Sequence, residues 1–138
     1  MQPTILIIDD NEDDVLLTQF VLSKTGRELR TEVAPSGETG LARIEGGKTL
    51  PNLILLDMKM PGLDGIEVLR KIRSDERLNG IPVVIISHSD LVSDKQASLQ
   101  AGADSFMHKS PDLDQFKKDI ERLLDFWLGT NTSCMCLK

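Results

Sequence analysis

Asn52-Leu53-Ile54-Leu55-Leu56-Asp57-Met58-Lys59-Met60-Pro61-Gly62-Leu63-Asp64-Gly65 runs five residues of strand character into an acid and then into a Pro-Gly turn. The stretch NLILL has no polar face to offer to water, so it suits a strand covered on both sides. Beyond the turn, Ile66, Leu69 and Ile72 recur at three-residue spacing, which predicts a helix with one buried stripe. A doubly covered strand followed by a helix is the repeating unit of a parallel sheet, because parallel neighbours need a crossover.

The same alternation extends in both directions. Thr4 to Ile8 and Thr31 to Ala34 read as strands before the central one, and Pro82 to Ile86 and Asp104 to His108 as strands after it. Asn11 and Asp13 are placed to cap a first helix with Val15, Leu17, Phe20 and Val21 inward and a stop at Gly26. Ser36 caps a second through Leu41 and Ile44 to Gly46-Gly47, and a more polar helix covers Leu91 to Leu99, closed by Gly102. In the last helix Leu113, Phe116, Ile120, Leu123 and Trp127 share one stripe, with Pro111 to open it. Phe126 points roughly 105° away from that stripe at about 100° per residue, which makes it a candidate interface residue.

Five strands alternating with five helices predict a three-layer α/β sandwich with a parallel sheet, and such sheets bind ligands beyond the carboxyl ends of their strands. Those ends carry Asp9 and Asp10, Asp57, Ser87 and Lys109. If the strand order is 2-1-3-4-5, the first and third strands are neighbours and three carboxylates converge. Two unit charges at about 4 Å repel by roughly 4 kcal/mol at an effective dielectric near 20, so a cation is expected among them. Mg²⁺ suits an all-oxygen set that keeps several waters, and Lys109 is expected to pair with Asp57 when no phosphate is present.

With an acidic pair after the first strand, Asp57 followed by Met60-Pro61 and Asp64-Gly65, Ser87 after the fourth strand and Lys109 after the fifth, the chain resembles response-regulator receiver domains from residue 4 to about 128. The resemblance implies a flavodoxin-like fold in which Asp57 accepts a phosphoryl group from a histidine kinase. It makes Asp10 and Asp57 direct Mg²⁺ ligands, has Asp9 act mainly through water, and adds the backbone carbonyl of Lys59. Ser87 and Lys109 would stabilise the phosphoryl oxygens, with Ser87 and Phe106 moving as the switch. The face of helix four, strand five and helix five would then respond, two copies could pair through it, and the signal would pass by contact to a downstream protein.

One departure is Lys109-Ser110-Pro111, where most receivers have Pro directly after the Lys. Together with Phe126-Trp127-Leu128 it is similar to stand-alone regulators that partner phytochrome-type kinases and dimerise through the helix-five face. An intermediate carrier in a phosphorelay is an alternative role. A Mg²⁺-dependent phosphatase is another, but that chemistry wants a second Asp at position 59, where this chain has Lys. A flavin-mononucleotide site would want Ser, Thr and Gly where Asn11-Glu12-Asp13-Asp14 stands.

Composition narrows the classes further. A length of 138 residues suits one domain, expected over residues 1–128, with a flexible tail at 129–138 and no room for an effector domain. A net charge of -6 opposes binding to nucleic acid, which depends on Lys and Arg. The opening MQPTILIIDD reads as neither a signal peptide nor a membrane span, so a cytoplasmic protein is expected. Cys134 and Cys136 without a nearby His are a weak zinc signal and read as free thiols. His88 and His108 are expected as loop or surface residues, and Met58 and Met60 as loop packing.

Overall fold

The computed structural model describes residues 2–47 and 49–129. In chain order these form β1 (Thr4–Ile8), α1 (Glu12–Ser23), β2 (Arg30–Ala34), α2 (Gly37–Gly46), β3 (Leu53–Asp57), α3 (Gly65–Ser74), β4 (Val83–Ser87), α4 (Val92–Gln100), β5 (Ser105–His108) and α5 (Leu113–Leu128). All strand pairs are parallel and their order is β2-β1-β3-β4-β5. This is the doubly wound three-layer sandwich that the alternation implies.

Because strand side chains alternate, the sheet feeds two cores. Leu6, Ile8, Ile54, Leu56, Val83 and Ile85 face one side, where α2 and α3 contribute Leu41, Ile44, Val68, Leu69 and Ile72. Ile5, Ile7, Leu53, Leu55, Val84 and Ile86 face the other, against Val15, Val21 and Leu22 of α1 and Phe116, Ile120, Leu123 and Leu124 of α5. α4 buries only Ser98, which agrees with its polar sequence.

Two helix faces differ from their sequence reading. Leu17 and Phe20 are 39% and 49% exposed, and the inner face of α1 is Val15, Thr18, Val21 and Leu22. The stripe is set by three- and four-residue spacing from Val15, and a Thr on it outranks two larger apolar residues off it. Leu113 is 46% exposed because it opens α5, where the chain has not yet turned onto the core, and Leu124 takes the inner place. The caps also shift by a residue or two. Asn11 alone caps α1, and α5 is capped by Asp112, whose side chain accepts from Asp114 and Gln115 N–H, rather than opened by Pro111.

Among the described residues no helix is long and apolar enough to cross a membrane. Of the tail expected at 129–138, residues 130–138, and with them Cys134 and Cys136, fall outside the described residues.

Candidate functional site

β1 and β3 are in register from Ile5–Leu53 to Ile8–Leu56, so the residues that follow Ile8 come level with Asp57. Carboxylate oxygens of Asp9, Asp10 and Asp57 lie within 4.8 Å of one another. Asp9 is buried and Asp10 exposed, while the Asp57 side chain keeps 12% of its surface. Asp9 Oδ1 accepts the Asn11 N–H at 2.9 Å, which ties the acidic pair to the cap of α1.

The loop carrying Asp57 is closed by Gly65, whose N–H donates to Met58 O at 2.9 Å. A side-chain carbon at Gly65 would collide with the Asp57 carbonyl oxygen, so only glycine lets α3 start this close to the strand end. Asp64 and Glu67 form a reciprocal capping box that fixes where α3 begins. Ser87 is the buried last residue of β4, one position beyond the Asp57–Ile86 pair of the register. Lys109 follows β5, its N–H donating to Ser87 O at 2.7 Å.

The ammonium of Lys109 is not paired primarily with Asp57. Its Nζ donates to Asp9 Oδ2 and to Asp14 Oδ2, both at 2.9 Å, and stands 3.9 Å from Asp57 Oδ1. Asp14 is the site residue that the motif reading passed over. It occupies the third position of α1, where its N–H donates to the capping Asn11 Oδ1 at 3.0 Å. His88, though 67% exposed at its side chain, places Nε2 2.9 Å from Asp14 Oδ2. The His108 ring bonds the His88 carbonyl at 3.0 Å.

These charges shape one another. Burial and the neighbouring Asp9 carboxylate push Asp57 up to about 7, against the pull of Lys109. Burial also pushes Asp14 up, but its hydrogen bonds to Lys109 and His88 outweigh this and hold it below the usual carboxylate range. Lys109 is raised: burial disfavours its charge, and the hydrogen bonds to Asp9 and Asp14 more than compensate. A hard divalent cation fits this donor set, since the three clustered acids offer only oxygen and Asp10 leaves one side open to water. The cleft over the strand ends holds about 600 Å³ and is lined by Asp10, Asn11, Asp14, Asp57, Lys59, Ser87, His88 and Ser89.

Phe106 is partly buried against the core on the α2–α3 side. It also lines a groove of about 430 Å³ between β5 and α5, together with Met107, Leu123, Phe126 and Trp127. Phe126 is 76% exposed, as its angle on the helix implies, and meets the Trp127 ring edge-on at 4.8 Å.

The family profile described as response regulator receiver domain matches residues 5–121. The chain is 32% identical over 133 residues to the probable methanogenesis regulatory protein FilR2 of Methanothrix harundinacea, covering 94% of this chain and 86% of that one. It is 32% identical to response regulator Rcp1 of Synechocystis, over 93% of this chain and 90% of the other. Other curated relatives are longer, and the chain spans between 24% and 54% of several of them.

Among solved structures, the phosphorylated cyanobacterial phytochrome response regulator RcpA aligns with a TM-score of 0.86 at 30% identity, covering 95% of this chain and 97% of that one. The Mn²⁺-bound form of Rcp1 aligns at 0.82 and 31%, over 94% and 96%. The receiver domain of sensor histidine kinase PA1611 from Pseudomonas aeruginosa, with magnesium in its active-site cleft, aligns at 0.79 and 25%, over 94% and 100%.

Proposed function

This chain belongs to the response regulator receiver family, and we propose that it accepts one phosphoryl group on Asp57 in a Mg²⁺-dependent reaction and signals by protein contact. The observation that carries the reading is the meeting of Asp9, Asp10 and Asp57 within 4.8 Å, with the Lys109 ammonium beside them. Three acids around one ammonium leave a net negative pocket with oxygen donors aimed inward.

Asp10 and Asp57 would hold the cation directly, with Asp9 acting through water and Lys59 offering its carbonyl. Bound there, the cation supplies positive charge to the phosphoryl oxygens and to Asp57 itself. A carboxylate oxygen of Asp57 attacks the phosphorus of a kinase phosphohistidine in line, the P–N bond breaks, and its electron pair stays on the imidazole. Lys109 stabilises charge on the transferred group, and Ser87 bonds one of its oxygens while Phe106 turns inward behind it. The new dianion makes interactions that the resting site lacks, which is what a population shift requires.

The receiver unit runs through residue 128. Its donor is a histidine kinase, and similarity to RcpA and Rcp1 favours one of the phytochrome type. The setting is the cytoplasm, where such kinases keep their phosphohistidine.

The test is labelling by acetyl phosphate followed by intact mass. One phosphoryl group is expected with Mg²⁺ and none in a chelator, because without the cation the clustered carboxylates repel the donor and about half of Asp57 is protonated, and so not nucleophilic, near pH 7. Labelling that persists unchanged in the chelator would contradict the reading.

The output face is the groove of Phe106, Phe126 and Trp127, through which two copies are proposed to pair. Phe126→Glu is expected to leave stability within about 0.5 kcal/mol, since the ring is exposed. It should also convert any dimer formed with beryllium fluoride into monomer on sizing. A wild-type protein that stays monomeric in both states at high concentration would rule this interface out.

A further inference from the structure

Lys109 rests on partners other than the proposed acceptor. Its three N–H donors have two short carboxylate contacts, to Asp9 and Asp14 at 2.9 Å, while Asp57 is 1.0 Å further off at 3.9 Å. Asp14 is not one of the three acids that cluster for a cation. The same oxygen of Asp14 that takes Lys109 also meets His88 Nε2 at 2.9 Å. His88 is in turn fixed by its backbone carbonyl, which the His108 ring bonds at 3.0 Å. One carboxylate oxygen is therefore shared between an ammonium that phosphoryl chemistry must use and an imidazole on the rim of the same cleft.

We propose that Asp14 is a positioning residue that holds Lys109 back from Asp57, and that His88 competes for the same oxygen and so loosens this hold. The proposal rests on the reading of Asp57 as acceptor and adds to it a residue that sets how readily the acceptor is used. As charge builds on the transferring oxygens, Lys109 must swing towards them and share or surrender Asp14. Whatever binds Lys109 to Asp14 more strongly in the resting state than in the phosphorylated state slows uptake and weakens any phosphoryl mimic. His88 acts in the opposite sense, because an oxygen engaged by the imidazole offers less to the ammonium.

Four variants in the full chain separate this from a purely structural role. Asp14→Asn keeps the shape but removes the charge that holds Lys109. It is expected to label with acetyl phosphate about fivefold faster at saturating Mg²⁺, and to bind beryllium fluoride about fivefold tighter. Asp13→Asn removes the same charge from the exposed side of the same helix turn, so it should change both by less than about twofold. His88→Ala, on an exposed side chain, should slow labelling about twofold, yet have no effect when combined with Asp14→Asn.

Equal gains from Asp13→Asn and Asp14→Asn would reduce the effect to general charge and overturn the proposal. So would an Asp14→Asn protein no faster than wild type, or a His88→Ala effect that survives in the double variant. If Asp14→Asn failed to fold, the single His88→Ala variant would still decide, since labelling at or above the wild-type rate contradicts the shared oxygen. Wild-type protein that takes no label with Mg²⁺ would overturn the acceptor reading and this proposal together, whereas normal labelling without the Asp14 effect sinks the proposal alone.

Discussion

Asp57→Asn is expected to abolish phosphoryl uptake and, in a chelator above pH 7, to make the protein more stable than wild type. Uptake fails because an amide oxygen is a poor nucleophile and cannot yield the acyl phosphate. Stability rises because the folded state holds the Asp57 carboxyl at about 7 while an unfolded Asp titrates near 4. Between those values the folded chain binds more protons than the unfolded one, so wild-type stability falls as pH rises through that window and stays low above it.

Asn has no charge to desolvate, so the gain of the variant should be near zero below about pH 4 and reach a plateau above about pH 7. Allowing for solvent screening, the plateau should be on the order of 1 to 2 kcal/mol. Thermal unfolding of both proteins at pH 5 and pH 8 without metal measures it. A variant less stable than wild type at pH 8 would show that the pocket does not penalise the Asp57 charge.

Lys109→Met is expected to have the opposite effect on stability and an equally large one on chemistry. The Lys109 side chain is 7% exposed, and its ammonium serves the side chains of Asp9 at 5%, Asp57 at 12% and Asp14 at 18%. Removing one partner of a buried pair leaves charge without compensation and costs about 3 to 5 kcal/mol. The loss should shrink at pH 5, where the orphaned acids take up protons, and shrink again when Mg²⁺ returns positive charge. Labelling should fall by about 100-fold, the usual cost of deleting one group that stabilises transition-state charge. Urea unfolding at pH 7.5 with and without Mg²⁺ is the measurement. Wild-type stability in the metal-free protein would show that the acids do not depend on Lys109.

The two variants also show which parts of the protein could be read from its sequence. The sheet was legible because Leu53 to Leu56 and Ile5 to Ile8 are covered on both faces, and nothing polar fits such a run. The positions of Asp9, Asp10, Asp57, Ser87 and Lys109 followed from one rule about strand ends. The outward turn of Phe126 followed from helix geometry alone.

Contacts across the fold were less legible. Asp14 meets His88 and Lys109 across 74 and 95 residues, and no local pattern marks it as more than a helix-start acid. Pairing Lys109 with Asp57 was the natural inference from motif order, but the side chain found two closer carboxylates. Leu17 and Phe20 misled because apolarity was read before angle. Their exposure leaves Leu16, Leu17 and Phe20 as an apolar outer face on α1.

The most direct test of the account is chemical location of the phosphoryl group. The wild-type chain is labelled with acetyl phosphate and Mg²⁺, reduced with borohydride, and the resulting peptides are sequenced by mass spectrometry. Reduction of an acyl phosphate converts the labelled aspartate to homoserine, and the expected result is that conversion at Asp57 alone. Homoserine at another acid with Asp57 intact, or a phosphoryl group retained on His88 or His108, would contradict it.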